Sequence, residues 1–314
     1  MNKNFNISVT PHIRKDTSTQ KIMGHVLIAL LPVCLFGIWN FGLAALRVLV
    51  ASVTSCVVSE ILFQFAVGRR VTVDDLSAAV TGVILGINLP ATVPLWIPVL
   101  GGVFAIVIVK QLYGGLGQNF MNPALAARCF LLISFGSLMA TYPAVDGVSG
   151  ATPLAVLKAG GEVNLLKMFF GTTSGVIGET SVLAILLGFI YLVATKVIQI
   201  RIPVIYVGST VAFVALFSFL MNGELPSIQY LLAHVCGGGL LVGSVFMATD
   251  YVSSPVTNSG RTIFAILLGF LTAAIRLFSG SAEGVSYAII IGNMLTPLIE
   301  KITVPTAFGR GVKR

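Results

Sequence analysis

Few side chains in this sequence could do chemistry, and they are far apart along the chain. Thr152 stands in DGVSGATPL, residues 146–154, behind Ser149, Gly150 and Ala151 and ahead of Pro153. Small neighbours leave its hydroxyl open to an enzyme that modifies it, while Gly147, Gly150 and Pro153 equally mark plain turn chemistry. A second group lies in GQNFMNPALAARCF, residues 117–130, where Asn119 and Asn122 precede Pro123 at an expected helix start and Arg128 follows. Asparagine is an ordinary N-cap there. Two amides beside an arginine could also hydrogen-bond a polar ring system such as a flavin. Asp250, in FMATDYVSSP, is a carboxylate beside an interrupted apolar run. Glu60 and Arg276 lie within apolar runs, where a charge costs at least roughly 2.5–3.5 kcal/mol. Such a group either snorkels to an interface or faces a partner of opposite charge.

Other chemistries find little support. His25 and His234 have no metal-ligand neighbour at helical spacing, and each is expected to be packed and hydrogen-bonded. Cys34, Cys56, Cys129 and Cys236 sit singly inside apolar runs and read as small packing residues, so no iron–sulfur or zinc site is expected. The run Gly237-Gly238-Gly239 lacks the strand–helix context of a phosphate loop and reads as a close helix contact.

The elements that must position these residues lie in a bilayer. Of 314 residues, 56% are hydrophobic and 10% charged, with mean hydropathy +0.98. A soluble domain carries about 25% charged residues. Runs such as VLIALLPVCLFGIW are apolar throughout, which excludes the alternating strands of a β-barrel and indicates transmembrane helices. The first twenty or so residues are polar, the wrong order for a cleavable signal peptide.

Apolar runs near residues 22–40, 43–67, 77–92, 94–113, 124–141, 180–200, 203–221, 229–248, 262–278 and 284–302 predict about ten spans in an all-α polytopic membrane protein. The third ends in NLPATVP and the eighth is cut by the glycine run, so both are expected to be broken helices lining a site. With the N-terminus in the cytoplasm, most Lys and Arg residues, Lys110 among them, fall on or near the inner side. That accounts for the net charge of +8 without nucleic acid. Two inverted five-helix repeats are expected: NLPATVP answers DYVSSPVT, and VIVKQLYGGLG answers TAAIRLFSGSAEG, offset by about 165 residues. The expected organisation is a cytoplasmic segment 1–21, a first repeat 22–141, an extracytoplasmic loop 142–179, a second repeat 180–302 and a cytoplasmic basic tail 303–314. The loop is expected to contribute little to helix packing.

Four stretches in order resemble one family: VTPHIRKDTSTQKIMGHVLIALLP, GGLGQNFMNPALAARCF, FMATDYVSSPVTNSGR and IRLFSGSAEGVSYAIIIGNMLTPLIE. With them, Asp146-Gly147-Val148-Ser149-Gly150-Ala151-Thr152 looks like the motif at which a flavin transferase esterifies FMN to a threonine. The family is that of the D subunit of the Rnf electron-transport complex, related to the B subunit of the sodium-pumping NADH:quinone reductase. Ala127 stands where typical members have glycine, and the longer N-terminal region of the quinone-reductase relative is missing, which favours the Rnf subunit.

The resemblance implies a flavoprotein subunit of a ferredoxin:NAD oxidoreductase, coupling electron transfer to Na+ or H+ export and not catalytic alone. It implies FMN on Thr152, with Asp146, Ser149, Gly150 and Ala151 as the attachment motif. Riboflavin, held non-covalently, would suit a midplane cleft lined by Asn119, Asn122, Arg128, Asp250 and Glu283, residues that could equally form an ion site. Implied partners are the A, B, C and E subunits, the extracytoplasmic FMN-bearing G subunit, the flavin transferase and the lipid bilayer. The implied location is the cytoplasmic membrane, with both termini inside and Thr152 outside. A competing reading is a channel or secondary transporter, because the family fold is thought to be similar to urea and ammonium channels. The quinone-reductase subunit itself is the other alternative.

Overall fold

The computed structural model describes residues 18–142, 150–179, 181–279 and 284–305. Asp146, Ser149 and Glu283 lie outside the described residues, as do most of the N-terminal segment and of the basic tail. Among the described residues the chain is helical, without strands.

The Ser18 hydroxyl accepts from Lys21 N at 3.2 Å and caps α1 (Thr19–Ala66). Within α1 the backbone breaks at Gly42, with φ 61° and ψ −144°, a conformation open essentially to glycine alone. The break falls between the first two expected spans. Then come α2 (Ser77–Ile87), α3 (Trp96–Val103), which continues as a π-helix over Phe104–Gln111, α4 (Pro123–Ser134) and the short α5 (Gly136–Met139). The segment expected as a loop holds two short helices, α6 (Pro153–Lys158) and α7 (Leu165–Phe170). The second half comprises α8 (Val182–Ala194), α9 (Arg201–Asn222), α10 (Ile228–Cys236), α11 (Leu240–Val242, continuing as a π-helix over Gly243–Met247), α12 (Asn258–Phe278) and α13 (Val285–Thr303).

Among the described residues four helices, α1, α9, α12 and α13, are long and apolar enough to cross a membrane. The pair α10 and α11, bent by 58° at the glycine run, adds a fifth if counted as one span. The remaining expected spans are shorter apolar helices. At 1.5 Å per residue α2 runs only about 16 Å, against a bilayer core of roughly 30 Å. It is buried along nearly its whole length, so protein and not lipid surrounds it.

One apolar core runs through both halves, with Leu30 and Leu49 of α1, Leu85 of α2, Leu125 of α4, Tyr206 of α9, and Phe264 and Leu268 of α12. Small residues let backbones approach. An added Cβ at Gly82 would lie 2.6 Å from Val53 Cα, and one at Gly102 would lie 2.7 Å from Ser55 Oγ.

Contrary to expectation, the segment read from sequence as a loop packs into the fold, and its Ile177 belongs to this core. Leu154, Met168, Val176 and Ile177 are buried. Ile177 N donates to Leu89 O at 3.2 Å and Gly178 N to Ile87 O at 2.7 Å, satisfying carbonyls where α2 ends. The physical reason is that a short helix ending inside protein needs partners for its last carbonyls, and this segment supplies them.

Candidate functional site

Thr152 is the N-cap of α6. Its Oγ1 accepts from Ala155 N at 3.4 Å, and Pro153 takes the first helical position, where its missing N–H costs nothing. The residue is only 8% exposed, so the hydroxyl that small neighbours were expected to leave open is covered. The helix it caps is tied down from afar: Leu154 of α6 packs on the break between α10 and α11, beyond the reach of local sequence. Gly150 N donates to Tyr142 O at 3.2 Å. Ala151 and Pro153, on either side of Thr152, line a cavity of about 470 Å³ with Asn164, Lys167, Thr172, Thr173 and Ser174.

A second cavity, of about 100 Å³, gathers Asn119, Asn122 and Asp250 with Ser77, Lys110 and Thr249. The three residues singled out from sequence thus line one cavity, although Asp250 lies more than a hundred positions from the two asparagines. Asn122 also caps α4, its Oδ1 accepting from Ala124 N at 3.1 Å and Leu125 N at 3.3 Å. Asn119 Nδ2 donates to Met121 O at 3.0 Å. Asp250, in the connection between α11 and α12, accepts from Ser253 Oγ at 2.9 Å and Val252 N at 3.4 Å. Desolvation by the surrounding protein raises its carboxyl above the ordinary range, and those two hydrogen bonds pull the other way. The volume is below the roughly 150 Å³ that just admits benzene in an engineered cavity. In this arrangement it fits a few waters or a small ion, and a tricyclic flavin only if the walls move.

Arg128 is not in that lining. On the buried face of α4 it donates to Asn88 Oδ1 at 3.0 Å and Ser286 Oγ at 2.8 Å, and its Nη2 lies 3.7 Å from Glu179 Oε1. Glu179 in turn packs against Gly239, where a Cβ would collide with its carboxylate. Sequence reading missed Glu179 because GVIGETS carries no motif. Its one signal is a carboxylate in an otherwise uncharged stretch.

Arg276 does not snorkel: it is buried, in the wall of the cavity that also holds His234. Its guanidinium donates to the carbonyls of His234 at 2.5 Å, Gly237 at 2.9 Å and Gly238 at 3.0 Å, capping the broken end of α10. The glycine run is thus a close contact, as expected. His25 is hydrogen-bonded, Nδ1 to Tyr191 OH at 2.8 Å. His234 departs from expectation: it is buried, and neither ring nitrogen has a hydrogen-bond partner among the described residues. It lines a third cavity, of about 250 Å³, with Tyr230, Lys158 and Leu154.

Lys110, counted with the inner surface charges, is 2% exposed. Its Nζ donates to Glu60 Oε1 at 2.8 Å and Ser77 Oγ at 2.6 Å, and Gln111 Nε2 adds a bond to the same Glu60 oxygen at 2.7 Å. The π-helix explains this placement. Its wider turn puts the adjacent residues Lys110 and Gln111 on one carboxylate.

The sequence model of the NQR2, RnfD, RnfE family matches residues 6–309. The D subunit of the Na(+)-translocating ferredoxin:NAD(+) oxidoreductase complex of Acetobacterium woodii is 47% identical, over 98% of this chain and 96% of its own. The proton-translocating counterpart of Clostridium ljungdahlii is 40% identical over 97% and 96%. The D subunit of the ion-translocating oxidoreductase complex of Stutzerimonas stutzeri is 37% identical over 95% and 94%. Relatives of this similarity are thus D subunits of ion-translocating oxidoreductase complexes, matched over nearly their whole length. The chain belongs to the NQR2, RnfD, RnfE family.

Proposed function

We propose that this chain is the membrane flavoprotein subunit of an ion-translocating ferredoxin:NAD oxidoreductase complex, carrying electrons through FMN esterified to Thr152. The observation that carries the reading is the 470 Å³ cavity lined by Ala151 and Pro153, the residues that flank Thr152 in the chain. Its volume lies in the range of roughly 300–1,000 Å³ usual for cofactor sites. Lys167 brings a cation for a phosphodiester, and Asn164, Thr172, Thr173 and Ser174 bring hydrogen-bonding groups for a polar ring edge. When bound, the flavin supplies the electron-transfer chemistry, and an ester through its phosphate leaves the ring free. The chain's own part is to fix that ring at the outer end of the bundle and to keep it from leaving.

The same reading takes the chain as ten spans in two inverted repeats. The Gly42 break divides α1 into two, and the short helices supply the rest. Lys110 and Arg276, matched by the expected repeat offset, are both buried cations. One bonds Ser77 at the start of α2, and the other bonds Gly238 just before α11. Termini inside, residues 142–179 outside, and docking to further subunits of the complex complete the proposal. The inner cavity, with Asp250 and Lys110 in its wall, is the place to look for Na+ or H+ passage. It is too small for riboflavin as it stands.

The test is flavin fluorescence of the denatured subunit after production with its flavin transferase, beside Thr152→Val. A fluorescent wild-type band and a dark variant are expected. Two dark bands, with the transferase active on a control substrate, would remove the flavin from the proposal.

A further inference from the structure

Resting on the reading of Thr152 as the attachment residue, we propose that the modifying enzyme's substrate is the chain with α6 undocked, so that attachment precedes the docking seen here. Thr152 is 8% exposed, and its Oγ1 is turned into the cap toward Ala155 N. Both ends of α6 are held. At its start, Leu154 is buried against the helix break: an added Cβ would lie 3.0 Å from Leu154 Cγ at Gly237 and would collide with Leu154 Cδ1 at Gly238. At its end, Lys158 Nζ donates to the carbonyls of Arg276 and Ser279. These contacts tie the segment to α10 and α12 rather than to its own loop.

The chemistry needs the opposite arrangement. Thr152 Oγ must attack a phosphorus of the pyrophosphate in a flavin adenine dinucleotide. The Oγ–P bond forms, the P–O bond to the adenylate breaks, AMP leaves, and the hydroxyl proton passes to a base of the transferase. No electrons are exchanged. The attacking and leaving oxygens must lie roughly in line across the phosphorus, which requires open space in front of Oγ and room for an enzyme around it. A hydroxyl covered within a docked cap has neither.

Opening is feasible because α6 is one short helix whose cap bond is long at 3.4 Å. Such segments open locally without global unfolding. The modification rate then scales with the undocked fraction.

The experiment uses the full chain, produced without transferase and purified folded in detergent. Transferase, flavin adenine dinucleotide and Mg2+ are added, and covalent flavin is followed by in-gel fluorescence. The variants are Leu154→Ala, which loosens the start of α6, and Lys158→Met, which removes the two carbonyl contacts at its end and keeps Leu154. Wild type produced together with the transferase runs alongside. Expected are a labelled co-produced wild type, slow labelling of the pre-folded wild type, and labelling of both variants faster by roughly tenfold or more, with cooperative melts retained. Equal rates for wild type and variants would overturn the docking proposal and leave Thr152 as the attachment residue. No label anywhere, co-produced wild type included, would overturn that reading and this inference with it. Should Leu154→Ala fail to fold, Lys158→Met decides alone.

Discussion

Lys110 and Glu60 form a buried ion pair, and one carboxylate oxygen, Glu60 Oε2, has no hydrogen-bond partner among the described residues. Removing one member strands the other charge, at a cost of about 3–5 kcal/mol, whereas removing both is far milder. Lys110→Met is therefore expected to lower the melting temperature in detergent sharply, and Glu60→Gln with Lys110→Met to recover much of the loss. A double variant no more stable than the single one would count against the pair as a unit. Asp250 makes a pH prediction. Its carboxyl is raised by burial, so the stability linked to it is complete below the unfolded carboxylate pKa and is lost as pH rises through the folded value. Asn cannot ionise and keeps one acceptor. The melting temperature of Asp250→Asn relative to wild type should thus climb with pH; a difference that shrinks would reverse the sign. If the carboxylate lies on the ion path, the variant complex assembles normally and pumps poorly.

At the scale of elements, breaks matter more than helices. A methyl group added at Gly42 would meet nothing within 4 Å, so only its backbone angles are at stake. Gly42→Ala is expected to cost about 1–3 kcal/mol from conformation alone, read as a lowered melting temperature; an unchanged melt would show that the turn relaxes. The break between α10 and α11 is held instead by a side chain. Arg276→Met abandons three carbonyls, and with about 1.5–3 kcal/mol per charge-assisted bond partly regained from water, a loss of about 3 kcal/mol is expected. Arg276→Lys should recover only part of it, because one ammonium cannot span the same fork. The first break was legible as a gap between two apolar runs, the second as a glycine run. Which partner holds the second was not, since Arg276 lies 38 residues from Gly238.

For the whole molecule, the two cavities described around Thr152 and Asp250 lie in different parts of the bundle, and the proposed topology puts them on opposite sides of the membrane. Single cysteines placed at exposed Gly160 and Arg70 in a cysteine-free chain test this. A membrane-impermeant thiol reagent applied to intact cells should label position 160 and spare position 70, and the reverse pattern would invert the orientation. A polar thread runs through the core, from Asn88 to Arg128, Ser286 and Glu179. It joins the end of α2 to the 142–179 segment and to α13.

The residue types alone determined that this chain is helical and built for a bilayer, because 56% hydrophobic residues with so few charges have no other solvent. They also placed the helix interruptions and brought Asn119, Asn122 and Asp250 under suspicion, since polar groups stand out against an apolar background. Tertiary structure decided the rest. It chose Glu60 as the partner of Lys110, seated Arg276 on carbonyls rather than at the interface, and buried Thr152 within a segment that composition reads as a loose loop. The reason is common to the first two. A buried polar group is satisfied by whatever the fold brings within about 3 Å, and in a helical bundle that neighbour comes from another helix, many residues away.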